Sequence, residues 1–356
     1  MPNAQSKEKP LDGIHLLSLV WQTMRVQVGL FVLLTLAPAG CGGGGPVDPA
    51  IATPGGEDST PPPPTTPDTT DSSGTDSTVP PPVPPPNPPP PPVSHEGIPF
   101  GPAQLPSERF ADFSGTVYTA ADTGKLTRDL EAARRTGARL FISFAGSEEF
   151  NRDDNGFSLT KWKQRVDRFR GFDLTSYIDD GTIVAHFIMD EPQDPTNWNG
   201  KLVSQAQIEE IAKYSKEIWP SMLTMVRAKP EYLQGYQYPH LDAIRTQYLD
   251  RFAPLDEFLA AQVEGAKALG LGYVGGLNVL NGGSKNSGIP GRRAGKNAMS
   301  ADELRSWGGR ILSEPYLCGF LMYEFDPTYF SRPDIQAAMA DLEEMARSLP
   351  KRSCRP

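Results

Sequence analysis

The sequence predicts an α/β domain, a single (β/α)8 barrel of the TIM type, and three observations lead there. From Ile98 onward, short apolar runs alternate with amphipathic helical stretches, the pattern of a parallel sheet with crossover helices. The apolar runs number eight. No glycine-rich phosphate fingerprint follows the early strands, which weighs against the alternative, a doubly wound open sheet.

Six of the runs are clear: "RLFISFAG" (139–146), "TIVAHFIMDE" (182–191), "LTMVRA" (223–228), "DAIRTQY" (242–248), "YVGGLNVL" (273–280) and "CGFLMYEF" (318–325). Two weaker ones, "IPFG" (98–101) and "TVYTA" (116–120), precede them. Helix starts are marked by capping boxes at Ser204 with Gln207 and at Ser300 with Glu303, where side chains satisfy otherwise orphaned amide hydrogens. The last helix places Ile335, Met339, Leu342, Met345 and Leu349 on one stripe. The first crossover, 102–115, is barely long enough for a helix.

The barrel occupies only the later part of the 356-residue chain. Of 37 prolines, 19 lie between Pro46 and Pro92, in a segment with almost no aliphatic or aromatic residues. Such a segment buries too little surface to offset the entropy of ordering its backbone, so residues 41–94 read as a disordered proline-rich linker. Its polyproline runs favour an extended form of roughly 3.1 Å per residue, a stalk on the order of 100 Å. Residues 95–356 are left as the folded domain.

Residues 1–40 read as a signal peptide. Within "MRVQVGLFVLLTLAPAGC" (24–41), an arginine precedes an apolar core of about a dozen residues, too short for a transmembrane helix. Met24 is the alternative start, because the residues before it make a poor n-region. The segment resembles a bacterial lipoprotein signal, which implies lipidation of Cys41 and contact with a membrane through that lipid anchor only. Pro38 stands where such a signal usually has leucine, and Ala37 to Ala39 form an A-x-A site that leaves plain secretion open. Either way the protein is expected to be exported, to the cell envelope if anchored. Cys318 and Cys354 then remain for one disulfide or for two unpaired thiols. The net charge of -9 argues against a nucleic-acid partner.

One stretch raises a chemical question: "IVAHFIMDEP" (183–192) ends an apolar strand with two adjacent carboxylates, Asp190 and Glu191, and then Pro192. In parallel α/β folds the carboxyl ends of strands face the active-site side. At this point the domain resembles the large clan of glycoside hydrolases built on (β/α)8 barrels, whose general acid/base is the glutamate of an "NEP"-like motif at the end of strand four. The resemblance implies that Glu191 is the acid/base, that Asp190 replaces the usual asparagine, and that the partner is a carbohydrate. The departure is at strand seven, where that clan has its nucleophilic glutamate and this chain has "GGLNVLNGG", with Asn278 and Asn281 but no acid. Strand eight supplies substitutes in "LMYEFD", Glu324 and Asp326, which alternation sends to one face. An exported glycosidase with Glu191 opposed by Glu324 or Asp326 is therefore one reading. A non-catalytic glycan-binding lipoprotein with a degenerate barrel is the other, and an envelope protein without a small ligand is a third.

Arg227, Gln247, Tyr248 and Asn278 stand near the ends of strands five, six and seven, where a barrel gathers polar groups around its ligand. Arg227 is expected either to bind the ligand or to pair with an acid. Trp198, in the loop after Glu191, is a candidate platform for a sugar ring or else a packing lid. The loop 281–297 carries Lys285, Arg292, Arg293 and Lys296 with no acid, and reads as a solvated loop or a lid over an anionic substrate such as a uronate or sulfated glycan. "NRDDNG" (151–156) is similar to a calcium loop, but Trp162 stands where the twelfth-position acid belongs. The four histidines, His15, His95, His186 and His240, show no metal-ligand spacing, so no metal is expected. No cofactor is expected either, since nothing calls for a nucleotide, flavin or haem.

Overall fold

The computed structural model describes residues 95–356. The expected signal peptide, the linker and Cys41 lie outside the described residues. Eight parallel strands form a nearly closed barrel: β1 (Phe100–Pro102), β2 (Gly115–Thr119), β3 (Arg139–Ser143), β4 (Ile183–Asp190), β5 (Leu223–Arg227), β6 (Ala243–Arg245), β7 (Gly272–Gly275) and β8 (Leu317–Met322). Hydrogen bonds join them in the order β1-β8-β7-β6-β5-β4-β3-β2. The fold class is thus the (β/α)8 barrel that the alternation of apolar runs predicts.

The seam between β1 and β2 is stitched partly by side chains. Thr116 Oγ1 donates to the Pro102 carbonyl at 2.7 Å, the Phe100 N–H donates to Ser114 Oγ at 3.2 Å, and the Gln104 N–H reaches the Val117 carbonyl at 2.8 Å. The short first crossover explains this. It holds a single 3-10 turn, Ser107–Arg109, instead of a helix.

Helices cover the outside of the sheet: α1 (Thr123–Thr136), α2 (Leu159–Asp167), α3 (Gln205–Ile218), α4 (Leu255–Ala268) and α5 (Pro333–Ser348), with shorter turns between. Both capping boxes are present, at Ser204 with Gln207 and at Ser300 with Glu303. On α5, Ile335, Met339 and Leu342 are buried, while Met345 and Leu349, near its end, are half-buried. The barrel interior is filled by a smaller cluster that includes Val117, Phe141, Ala185, Met225, Ala243, Val274 and Leu321. Phe141 crosses the interior to β8. A Cβ on Gly319 would meet its ring at 3.3 Å, so large and small residues face each other across the barrel as close packing demands.

The amino-terminal end of the barrel is closed by the tail. Cys318 and Cys354 are joined, with Cα atoms 5.3 Å apart. A Cβ on Gly272 would meet the Cys354 carbonyl oxygen at 2.3 Å, so glycine lets the tail lie directly under β7. Arg355 Nε donates to Asp242 Oδ1 at 2.9 Å and Arg352 Nη1 to the Leu317 carbonyl at 2.9 Å, which ties the tail to the starts of β6 and β8. With the cysteines 36 positions apart in the chain, the bridge contributes roughly 4 kcal/mol by restricting the unfolded chain.

Candidate active site

A cleft of about 780 Å³ opens at the carboxyl ends of the strands, with Glu148, Asp190, Glu191, Arg227, Asn278 and Glu324 on its wall. Its charged centre is made by β4 and β5. The register between them shifts between Phe187 and Met189, a bulge that makes Asp190 and Arg227 register partners at the strand ends. In parallel neighbours, register partners point to the same face. Arg227 Nη1 accordingly donates to both Asp190 oxygens at 2.9 Å, and Nη2 donates to Glu191 Oε1 at 2.8 Å. Arg227, expected to bind either ligand or acid, is committed to the acids.

Glu191 itself has a left-handed backbone, with φ at +39°. For a side-chain-bearing residue this costs of order 1–3 kcal/mol and persists only where the surroundings hold it. Here the Glu191 N–H donates to the Arg227 carbonyl at 2.9 Å, and the Glu191 carbonyl accepts from the Asp194 N–H at 3.0 Å and from Trp198 Nε1 at 3.1 Å. Pro192 follows directly and its carbonyl accepts from the Val203 N–H at 3.0 Å. The turn therefore aims the Glu191 carboxyl out of the strand ladder and into the cleft.

The electrostatics follow first from burial and then from the crowding of acids. Burial pushes the Glu191 carboxyl above the ordinary glutamate range; Arg227 pulls the other way, while Asp190 and Asp194 push with the burial. Glu148, at the end of the loop after β3, is raised as well, by burial and then by Asp190, Glu149 and Glu191. Arg227 shares one charge between Asp190 and Glu191, so burial outweighs its pull on Glu191 and the cleft holds a proton more tightly than an isolated carboxylate does. Glu324 stands apart from this group. It forms an ion pair with Arg292 from the basic loop 281–297.

Several expected site residues lie elsewhere. Asp326 is corrected from a catalytic candidate to a helix cap: β8 ends at Met322, alternation no longer applies, and Asp326 Oδ1 accepts from the Tyr329 N–H at 2.9 Å. Tyr248 is corrected from ligand binding to packing, because it faces the helix layer against Phe258 and Trp307, with ring centroids 5.4 Å away in each case. Gln247 points inward but is buried beneath the cleft. With its amide turned to match its partners, its oxygen accepts from Arg245 Nη2 at 2.6 Å and from the Tyr323 N–H at 2.9 Å. Trp198 is 2 % exposed and packs edge-on against Phe157, so it is not an open platform for a sugar. Asp190 and Asn278 do line the cleft.

Some residues of the site carry no mark in the sequence. Glu148 and Glu149 are neighbours in "GSEEF", and only the 3-10 turn Glu148–Phe150 decides that Glu148 turns to the cleft while Glu149 is exposed. Arg245 sits inside the barrel, donating through Nη2 to the Leu321 and Met322 carbonyls at 3.3 and 3.2 Å, and burial lowers it to about 9. A charged residue within the run "DAIRTQY" was the available signal. His186 is fully buried in the core; its Nδ1 bonds Ser215 Oγ at 2.8 Å, Nε2 has no partner, and burial lowers it to about 3.

No family model matches this chain, and no curated protein matches it by sequence. Solved structures similar to it in fold include a GH18 chitinase from Pseudoalteromonas aurantia, 12% identical, covering 69% of this chain and 99% of that one, with a TM-score of 0.42. A GH113 beta-1,4-mannanase is 11% identical, with coverage of 68% and 90% and a TM-score of 0.45. A GH5_18 protein from Bifidobacterium longum subsp. infantis is 10% identical, with coverage of 69% and 74% and a TM-score of 0.45. Identities this low speak to neither substrate nor mechanism. Those have to come from the cleft's own residues.

Proposed function

We propose that this barrel is a glycoside hydrolase acting on a polysaccharide or envelope glycan, with Glu191 as proton donor and Glu324 as its counterpart. The observation that carries the reading is the sharing of Arg227 between Asp190 and Glu191 in a cleft where Glu191 is held above its ordinary range. A general acid needs that raised proton affinity near neutrality. In the reaction Glu191 gives its proton to the glycosidic oxygen as the bond from that oxygen to the anomeric carbon breaks. Glu324, whose partner Arg292 must then release it, either attacks the anomeric carbon or takes a proton from the attacking water. Retention corresponds to carboxyls about 5 to 5.5 Å apart and inversion to about 6.5 to 9.5 Å.

A glycan-binding role without turnover is the second reading. It is favoured by the absence of an acid at the end of β7, where Asn278 spends its Oδ1 on the Asn281 N–H at 3.2 Å. The two readings separate in one experiment: reducing-sugar release over a panel of neutral and acidic polysaccharides, beside Glu191→Gln and Glu324→Gln. Release that is lost in both variants supports the hydrolase. Binding without release by any substrate supports the second reading. Export by a signal peptide, with Cys41 lipidated and the proline-rich segment as a stalk, belongs to the same proposal and is tested by metabolic labelling with a palmitate analogue in wild type and Cys41→Ala.

A further inference from the structure

Two guanidinium groups on the wall of the cleft have no acid of their own. Among the described residues neither Arg251 nor Arg293 forms an ion pair, although the same cleft is rich in carboxylates. Both are tied to a single buried residue. Arg251 Nη1 donates to the Asn281 carbonyl at 3.2 Å, and the Arg293 N–H donates to Asn281 Oδ1 at 2.7 Å. Asn281 is only 4 % exposed, so its carbonyl holds the Arg251 guanidinium, and its side chain the Arg293 backbone, to the β7 side of the cleft. Arg292, the next residue along, turns instead to Glu324.

The position of the pair relative to the acid matters. The charge of Arg293 is felt at Glu191, where it is the weakest of the named influences and lowers its proton affinity. Phe252, 39 % exposed, lies on the same wall with the Arg251 guanidinium 5.9 Å from its ring. An aromatic face beside two unpaired forks suits a pyranose that carries a carboxylate, because guanidinium matches the planar carboxylate in geometry and charge while the ring face takes the apolar side of the sugar. Both arginines are exposed, so the advantage of an acidic sugar over a neutral one is the charge partner it brings to the two forks.

We propose that Arg251 and Arg293 form a subsite for the carboxylate of an acidic sugar, with Phe252 as its stacking face, so that the glycan recognised here is a uronate-bearing one. The proposal rests on the glycosidase reading for the neighbouring acid, and its failure is separable from the failure of that reading.

The test is calorimetric, on the full chain carrying Glu191→Gln to prevent turnover. The probes are trimers of galacturonic and of glucuronic acid, their methyl esters, and neutral and sulfated trimers of the same ring size. At least tenfold tighter binding of an acid trimer than of its ester is expected, with the preference falling as salt rises and lost in Arg251→Gln/Arg293→Gln. Arg251→Lys/Arg293→Lys, which keeps the charge without the fork, should restore part of it, and retained binding of neutral trimers shows that the variants are folded. Equal binding of acid and ester, a preference that survives the Gln variant, or a preference for a sulfated trimer over both uronates would overturn the proposal while leaving the hydrolase standing. Failure of every glycan to bind would overturn both.

Discussion

Glu191 and Arg227 are joined twice: the Glu191 N–H donates to the Arg227 carbonyl at 2.9 Å, and Arg227 Nη2 donates to Glu191 Oε1 at 2.8 Å. One link sets the strained backbone of the candidate acid and the other aims its side chain. The end of β5 therefore governs a residue that belongs to β4.

Arg227→Met should expose how much that arrangement depends on charge. It leaves Asp190 and Glu191 beside each other with no cation, and since both side chains keep about a third of their exposure, the cost is about 2 kcal/mol at neutral pH, below the figure for a fully buried pair. The deficit should shrink as pH falls and Glu191 takes up its proton. Denaturant melts at pH 5 and pH 8 read this directly. A deficit independent of pH would mean that lost packing, not unpaired charge, dominates.

Glu148→Gln tests the crowding of acids from the other side. Folding raises the affinity of Glu148 for its proton, so the stability it contributes is fully present below the ordinary value of 4.5 and is lost as pH rises through the higher folded value. The variant should therefore melt at a higher temperature than wild type above that window and at the same temperature below it. Removing this negative charge should also move the alkaline limb of the kcat/KM profile to lower pH, since Glu148 and Glu191 raise one another. An unchanged limb would place Glu148 outside the electrostatic reach of the acid.

Trp198→Phe separates positioning from stacking on substrate. The buried ring is largely kept, while the hydrogen bond from Nε1 to the Glu191 carbonyl is lost, at about 1 kcal/mol of stability. Because that bond helps hold the left-handed turn, kcat should fall by roughly tenfold to a hundredfold with KM unchanged. A rise in KM with kcat intact would restore the tryptophan to the sugar-binding surface.

Asp326→Ala and Glu324→Gln should behave as opposites. The first removes a helix cap and costs about 1 kcal/mol of stability with activity preserved. The second should leave stability close to wild type and reduce turnover by at least about a hundredfold. Steady-state rates with thermal melts on both variants check this, and loss of activity in Asp326→Ala at full stability would reverse the assignment.

The sequence by itself determined the architecture, because a strand buried on both faces must be apolar along its length and a helix lying on it must be apolar along one stripe. Those patterns are local and survive in the linear order, as do the Ser204 and Ser300 caps and the placement of Asp190 and Glu191 at a strand end. What only the tertiary structure decided is which side chains meet. Alternation put Asp326 beside Glu324, but the strand stopped at Met322 and a cap took Asp326. Trp198 and Tyr248 looked available until packing closed over them. Arg227 had two possible partners until the bulge in β4 set its register opposite Asp190. Glu148, Arg251 and Arg293 come from three different loops, and their common cleft exists only because eight strands bring their carboxyl ends to one rim. A barrel gathers its site from residues far apart in the chain, and periodicity, which reports what each segment buries, holds no record of what the loops bring together.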